Sequence, residues 1–171
     1  MLAWPFFIHA PSVVPPGAPG SSAAMSEPAR RFVEDAFRRI EAQQTEELIQ
    51  NYRRGGGLLE ANALAVRLRD CCDQPISRLA RWIVDRDIVV LASHGALLVP
   101  LFQFDLVSGQ VLGVVQQALD ELDGAFDDRE IAHWFVQPNC WLDDRWPLDL
   151  ITSDPGAVVE AARADRFIAR G

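Results

Sequence analysis

Stop signals, more than any motif, limit what this chain can fold into. Gly55-Gly56-Gly57, Asp73-Gln74-Pro75, Pro100, Asp123-Gly124, Pro138, Pro147 and Asp154-Pro155-Gly156 break the sequence into short pieces. Glycine and proline end regular structure for backbone reasons, one by its freedom and the other by its missing donor and fixed φ. Every apolar run is also cut by Pro, Gly or a charge, so no stretch reaches the ~18 residues that a bilayer-crossing helix requires. A fold of several short elements is what remains.

The periods within those pieces name most of them. Phe32, Val33, Ala36, Phe37, Ile40, Leu48 and Ile49 recur at three- and four-residue steps and predict an amphipathic helix over 29–52, stopped by the glycines. Leu59, Ala63 and Val66, with Leu64 and Leu68 beside them, predict a second helix over 58–72. Pro75 suits the first turn of a third, whose buried face is read as Ile76, Leu79, Ala80 and Ile83. Two β-rich runs, 87–92 and 96–102, flank Ser93-His94-Gly95 and read as a hairpin, with Pro100 placing the second run at an edge. Val111, Leu112, Val115, Ala118, Leu119 and Leu122 form the next helical stripe. Ile131, Trp134 and Phe135 follow Asp127 as an N-cap, and Pro147 and Asp154-Pro155 open two last helices.

The expected fold class is therefore mainly α with a small β-hairpin. A winged helix-turn-helix-like segment precedes a compact carboxyl-terminal helical module. The expected boundaries are an extension over 1–28, a helix and Gly linker over 29–57, the helix-turn-helix segment with its hairpin over 58–106, and a helical domain over 107–171. With 171 residues, 49% hydrophobic and 23% charged, there is material for one domain or two small ones sharing a core. Residues 11–24 are almost wholly Pro, Gly, Ser, Ala and Val, a composition too poor in burial to order itself. Pro5 and the lack of a preceding basic residue make Met1 to Ala10 a poor signal peptide, and Met25 reads as the native start.

Three cysteines, two adjacent, make no disulfide framework and fit a reducing cytoplasm. Cys71, Cys72, His133 and Cys140 lack metal-ligand spacing, so no metal and no cofactor is expected. A hydrolase built from Cys72 or Cys140 with His94 or His133 has no local sign of an activated thiolate, and the chain is read as a non-enzyme.

Charge is divided between the halves. Residues 30–86 carry eleven Arg against nine acids, whereas residues 118–154 carry ten carboxylates against Arg129 and Arg145. Phosphates would be repelled by the second half, so nucleic-acid contact is expected from the first. Two helices, a tight turn and a hairpin outline a winged helix-turn-helix, whose second helix enters the major groove. Gln74, Ser77, Arg78 and Arg81 lie on its outward side and have the donors that read guanine edges or hold phosphate. Such readers work on paired half-sites, which implies a homodimer on operator DNA.

The carboxyl half carries a denser pattern. Trp134-Phe135-x-x-Pro138-Asn139-x-x-Leu142 is followed by Pro147-Leu148-Asp149-Leu150-Ile151, and upstream stands Pro100-Leu-Phe102-Gln103-Phe104-Asp105 with Gly109. This pattern resembles the toxin-binding domain of the Xre/MbcA/ParS class of bacterial antitoxins, over about Leu58 to Gly171. Trp141, Trp146 and Asp143-Asp144-Arg145 depart from it, standing where small or glycine-rich residues are usual. The resemblance implies a chain that catalyses nothing and neutralises a cognate toxin, often a RES-type, NAD-consuming one. It also implies repression of its own operon. Trp134 and Asn139 of the motif then belong to the toxin-binding set, with Arg163, Arg166 and Arg170 of the final helix nearest the toxin's active site; Trp141 and Trp146 are added because tryptophan is enriched at interface hot spots. A stand-alone transcriptional regulator with no toxin partner is the alternative.

Overall fold

The computed structural model describes residues 26–93 and 95–171. The expected extension and the question of its start at Met1 or Met25 fall on residues 1–25, outside the described residues, as does His94. The chain divides into two compact units between Phe37 and Arg38. Of the first, the described part is the opening of helix α1 (Glu27–Tyr52), which exposes Phe32 and Phe37.

The second unit is mainly helical with a small antiparallel sheet. After α1 come β1 (Leu58–Glu60), α2 (Ala61–Arg67), α3 (Pro75–Val84), β2 (Leu91–Ser93) and β3 (Ala96–Pro100). A small ladder of β4 (Phe104–Asp105) and β5 (Gln110–Val111) leads to α4 (Gly113–Leu122), α5 (Asp128–Trp134), α6 (Pro147–Leu150) and α7 (Pro155–Arg170). Among the described residues no helix is long and apolar enough to cross a membrane.

Strand order β1-β3-β2 makes β3 the central strand, which corrects the expected edge placement. It also corrects the start of the second helix, because Leu58 and Leu59 pair with Pro100 and Val99 instead of entering α2. The pleat then sends neighbouring residues to opposite faces. Leu58, Leu91 and Leu98 join a large core built on α4 to α7, while Leu59 and Val99 join a smaller core with Leu64, Leu68, Leu79 and Trp82. One thin sheet serves two cores.

Pro100 fits a central strand because β2 has ended by that point. Leu101 donates to Gly57 O at 2.9 Å, so by alternation the position of the missing Pro100 donor faces away from β1. The buried amide of Gln103 fills that side. Its Oε1 accepts from Val89 N at 2.8 Å, and its Nε2 donates to Val89 O and Pro100 O, both at 3.0 Å. A side chain thus continues the ladder where a strand cannot.

Local signals fix the remaining turns. Asp127 and Glu130 form a reciprocal capping box on α5, and Asp154 caps α7. Gly55 is where the chain leaving α1 passes closest to its neighbours. A Cβ there would lie 2.7 Å from Leu148 and 2.9 Å from Phe102, so the expected linker is a packed contact. Tyr52, fully buried, donates its hydroxyl to Ala132 O at 2.6 Å, and burial pushes its phenol far above the ordinary range.

Replacing Gln103 by Leu should cost about 3 kcal/mol or more, since three buried backbone groups lose a partner worth ~1–3 kcal/mol each in desolvation. Urea unfolding of the variant checks this; a loss below ~1 kcal/mol would show that water replaces the amide.

Candidate functional site

Two surfaces gather the residues singled out by sequence. The first is α3, a helix whose solvent side is split lengthwise. Leu79 and Trp82 are buried, and Ile83 is half-buried. Ile76 and Val84, at 67% and 78% exposure, stand with exposed Ala80 along one edge. That arrangement corrects the expected burial of Ile76 and Ala80, because the helix turns Trp82 toward the small core, where it meets Phe104. Val66 of α2 is likewise exposed, with Leu64, Ala65 and Leu68 facing inward.

Along the other edge lie Gln74, Ser77, Arg78 and Arg81. They line one shallow concavity of about 360 Å³ with Asp73, Trp82 and Gln110. Gln74 precedes the helix in a left-handed conformation, φ 52°. The Arg78 guanidinium lies 5.8 Å from the Trp82 ring, near enough for a cation–π contact. Gln110 comes from β5, a position that no local pattern connects to α3.

The second surface is the corner from α5 to α7. Helix α5 ends at Trp134, and past Pro138 the Asn139 side chain accepts from Trp141 N at 2.9 Å, holding a short 3-10 turn over Cys140–Leu142. Asp143 and Asp144 then both adopt left-handed backbone, φ 56° and 58°. These conformations suit glycine, and Asp tolerates them better than most residues. Asn139 N donates to Arg145 O at 3.0 Å, closing the loop, and Pro147 opens α6.

The corner is fastened to α7 by one carboxylate. Asp165 is 4% exposed, and its Oδ2 accepts from Trp134 Nε1 and Asn139 Nδ2, both at 2.7 Å. Its Oδ1 accepts from Trp141 Nε1 at 3.0 Å. No cation lies within ion-pair distance of it among the described residues. Three neutral N–H donors therefore do the work of a counter-ion, each strengthened by the charge it meets. Sequence reasoning missed Asp165, though a signal existed: it falls on the buried line Val158, Ala161, Ala162 of α7.

The expected partner-facing residues separate on this geometry. Trp134 and Asn139 are buried supports. Trp141 is anchored by its indole N–H yet 53% exposed, and Ile168, one turn along α7 from Asp165, is exposed as well. Trp146 is half-buried under the Arg54 guanidinium, 4.3 Å from the ring centroid, while Arg54 also pairs with Asp149 at 3.0 Å. Arg163 and Arg166 both grip Glu121 of α4, at 2.9 Å and 2.7 Å, and Arg170 donates to Asp123 O. These three arginines fasten α7 to α4.

Among the described residues no group of three His, Cys, Asp or Glu side chains is arranged to hold a metal. Cys71 and Cys72 are half-buried and Cys140 is exposed. His133 is half-buried beside Gln137, and burial, with Arg129 adding to it, holds its imidazole below the usual range. Comparison of the chain with protein-family models, curated proteins and solved structures found no match.

Asp165→Ala should destabilise the chain by roughly 2–5 kcal/mol, since the Trp134 and Asn139 donors become buried and unpaired. Tryptophan fluorescence should report Trp141 released to water in the same variant. Unchanged stability and emission would deny the carboxylate its anchoring part. The depressed His133 predicts a pH effect of definite sign. The unfolded chain takes the proton first, so this contribution is present above about pH 6.5 and is lost as the pH falls through that value toward the lower folded one. A pH series of unfolding midpoints that His133→Gln fails to flatten would contradict it.

Proposed function

We propose that this chain is a cytoplasmic antitoxin of the Xre/MbcA/ParS class, a non-catalytic protein that binds and neutralises a cognate toxin and represses its own operon. The observation that carries the reading is Trp141, held by its N–H on a buried carboxylate while its ring faces solvent. An aromatic ring fixed before binding loses little rotamer freedom on docking, and tryptophan dominates the energetic centres of protein interfaces. Trp134, Asn139 and Asp165 act behind it as the frame. Trp146 and the exposed parts of Arg163, Arg166 and Arg170 border the same module. The toxin implied by the resemblance is RES-type and NAD-consuming.

In this reading α2 and α3 with the β2–β3 hairpin form a winged helix-turn-helix, and α3 enters the major groove. The polar edge of Gln74, Ser77, Arg78 and Arg81 supports it, as does the placement of these four side chains on one concavity whose lining includes Asp73 but no residue of the acidic 118–154 segment. A homodimer supplies the second half-site.

Co-expression with the product of the adjacent open reading frame is the direct test. The wild-type chain should restore growth and co-purify with that product, and Trp141→Ala should weaken the complex by about tenfold or more, the loss of ~1.4 kcal/mol at one interface anchor. A toxin left active and unbound by the wild-type chain would overturn the reading. On promoter DNA, Arg78→Ala with Arg81→Ala should lower affinity and reduce the salt slope by about 0.9 per phosphate contact removed. Promoter binding by a chain that forms no toxin complex would point instead to a stand-alone regulator.

A further inference from the structure

A cleft of about 560 Å³ opens where the α3–β2 loop, β3, α4 and α5 meet the last turns of α1. Leu48, Val89, Leu91, Leu119 and Ile131 of the large core line it, and so does Leu97 of β3, 44% exposed. The rim is acidic, formed by Asp85, Asp120, Asp123 and Asp128 with Arg86 and Arg129.

Neither rim cation pairs with Asp85 or Asp120. Arg86 takes a left-handed conformation, φ 59°, and its guanidinium bridges Asp123 at 2.7 Å and Asp128 at 2.5 Å. It thereby turns away from its own sequence neighbours, Asp85 and Asp87. Arg129 donates to Gln44. Among the described residues no cation lies within ion-pair distance of Asp85, Asp87 or Asp120. Beside the cleft, the Asp87 carboxyl is held above the usual range by burial first and then by the charges of Asp85 and Asp120. An apolar lining beside uncompensated negative charge is the complement of a cationic, partly apolar ligand.

We propose that this cleft docks a basic, partly apolar segment of another polypeptide, with aliphatic side chains over Leu97 and the rest of the apolar lining and Lys or Arg side chains against Asp85 and Asp120. A polypeptide fits better than a small amine because the unpaired rim acids stand on two separate elements, the end of α3 and α4, with apolar surface between them. The cleft shares no residue with Trp141 or with the polar edge of α3, so this inference stands or falls apart from the antitoxin reading.

The test uses the full chain and a short fluorescein-labelled helical peptide of Leu and Lys, beside the same peptide with Glu for Lys. The Lys peptide should bind, with amide shifts at Asp85, Leu97 and Asp120, and the Glu peptide should not. Asp85→Asn with Asp120→Asn should weaken binding about fivefold or more, as loss of two partly exposed charge pairs implies. Asp143→Asn with Asp144→Asn makes the same change in net charge at residues that do not line the cleft and should leave affinity within about twofold. A melting temperature of the first double variant at or above that of the wild type separates lost binding from lost folding. The inference is overturned if both peptides bind alike, if both double variants weaken binding equally, or if the shifts gather elsewhere. Spermidine competing as well as the peptide, or cleft shifts that vanish on dilution as a dimer dissociates, would assign the cleft to a small amine or to a second copy and overturn it too.

Discussion

One buried carboxylate holds the carboxyl-terminal module in its shape. Among the described residues Asp165 has no counter-ion, and its desolvation is offset there by the three N–H groups that reach it from α5, from the turn after Pro138 and from the 3-10 segment. Removing any of these leaves a charge under-solvated in a low-dielectric setting, which is why such networks permit few alternative geometries. The corner therefore behaves as one rigid piece with α7. Its exposed ring is an outgrowth of that rigidity, because the group that orients Trp141 is the one that orders everything behind it.

The sheet works by a similar economy. With only three short strands it separates two apolar cores, and the side-chain amide of Gln103 stands in for the backbone that β2 no longer supplies. Unpaired backbone groups at a buried sheet edge are costly, and a fully satisfied amide removes that cost without lengthening a strand. The α3 helix and the carboxyl-terminal corner thus sit on opposite sides of a shared partition. A change at either core reaches Val89, Leu91 or Val99 within one layer of side chains.

Local chemistry was legible in the sequence wherever the signal and the structure it sets lie close together. The capping acids Asp127 and Asp154 and the prolines that open α3, α6 and α7 all act within a few residues, and each stands where the pattern placed it. Long-range pairing was not legible. Leu58 and Leu59 fit a helical stripe as well as a strand, and only their partners some forty residues away, Pro100 and Val99, decide between the two. The rotation of α3 is hidden for the same reason: Ile76 is as apolar as Leu79, and the small core selects Leu79 and Trp82 by position. Of the candidate site, the aromatic and Asn framework was visible, but Asp165 and Gln110 were not, since each acts on residues of another element.

The proposed function requires a preformed corner that would present Trp141 to another protein. Amide hydrogen exchange of the full chain, alone and mixed with the product of the adjacent open reading frame, tests that claim most directly. The account predicts slow exchange through the Pro138–Leu142 turn in the free protein, and added protection in the complex centred on Trp141 and the last turns of α7. Fast exchange of that turn in the free chain, or a complex that protects other segments and leaves this one unchanged, would contradict it.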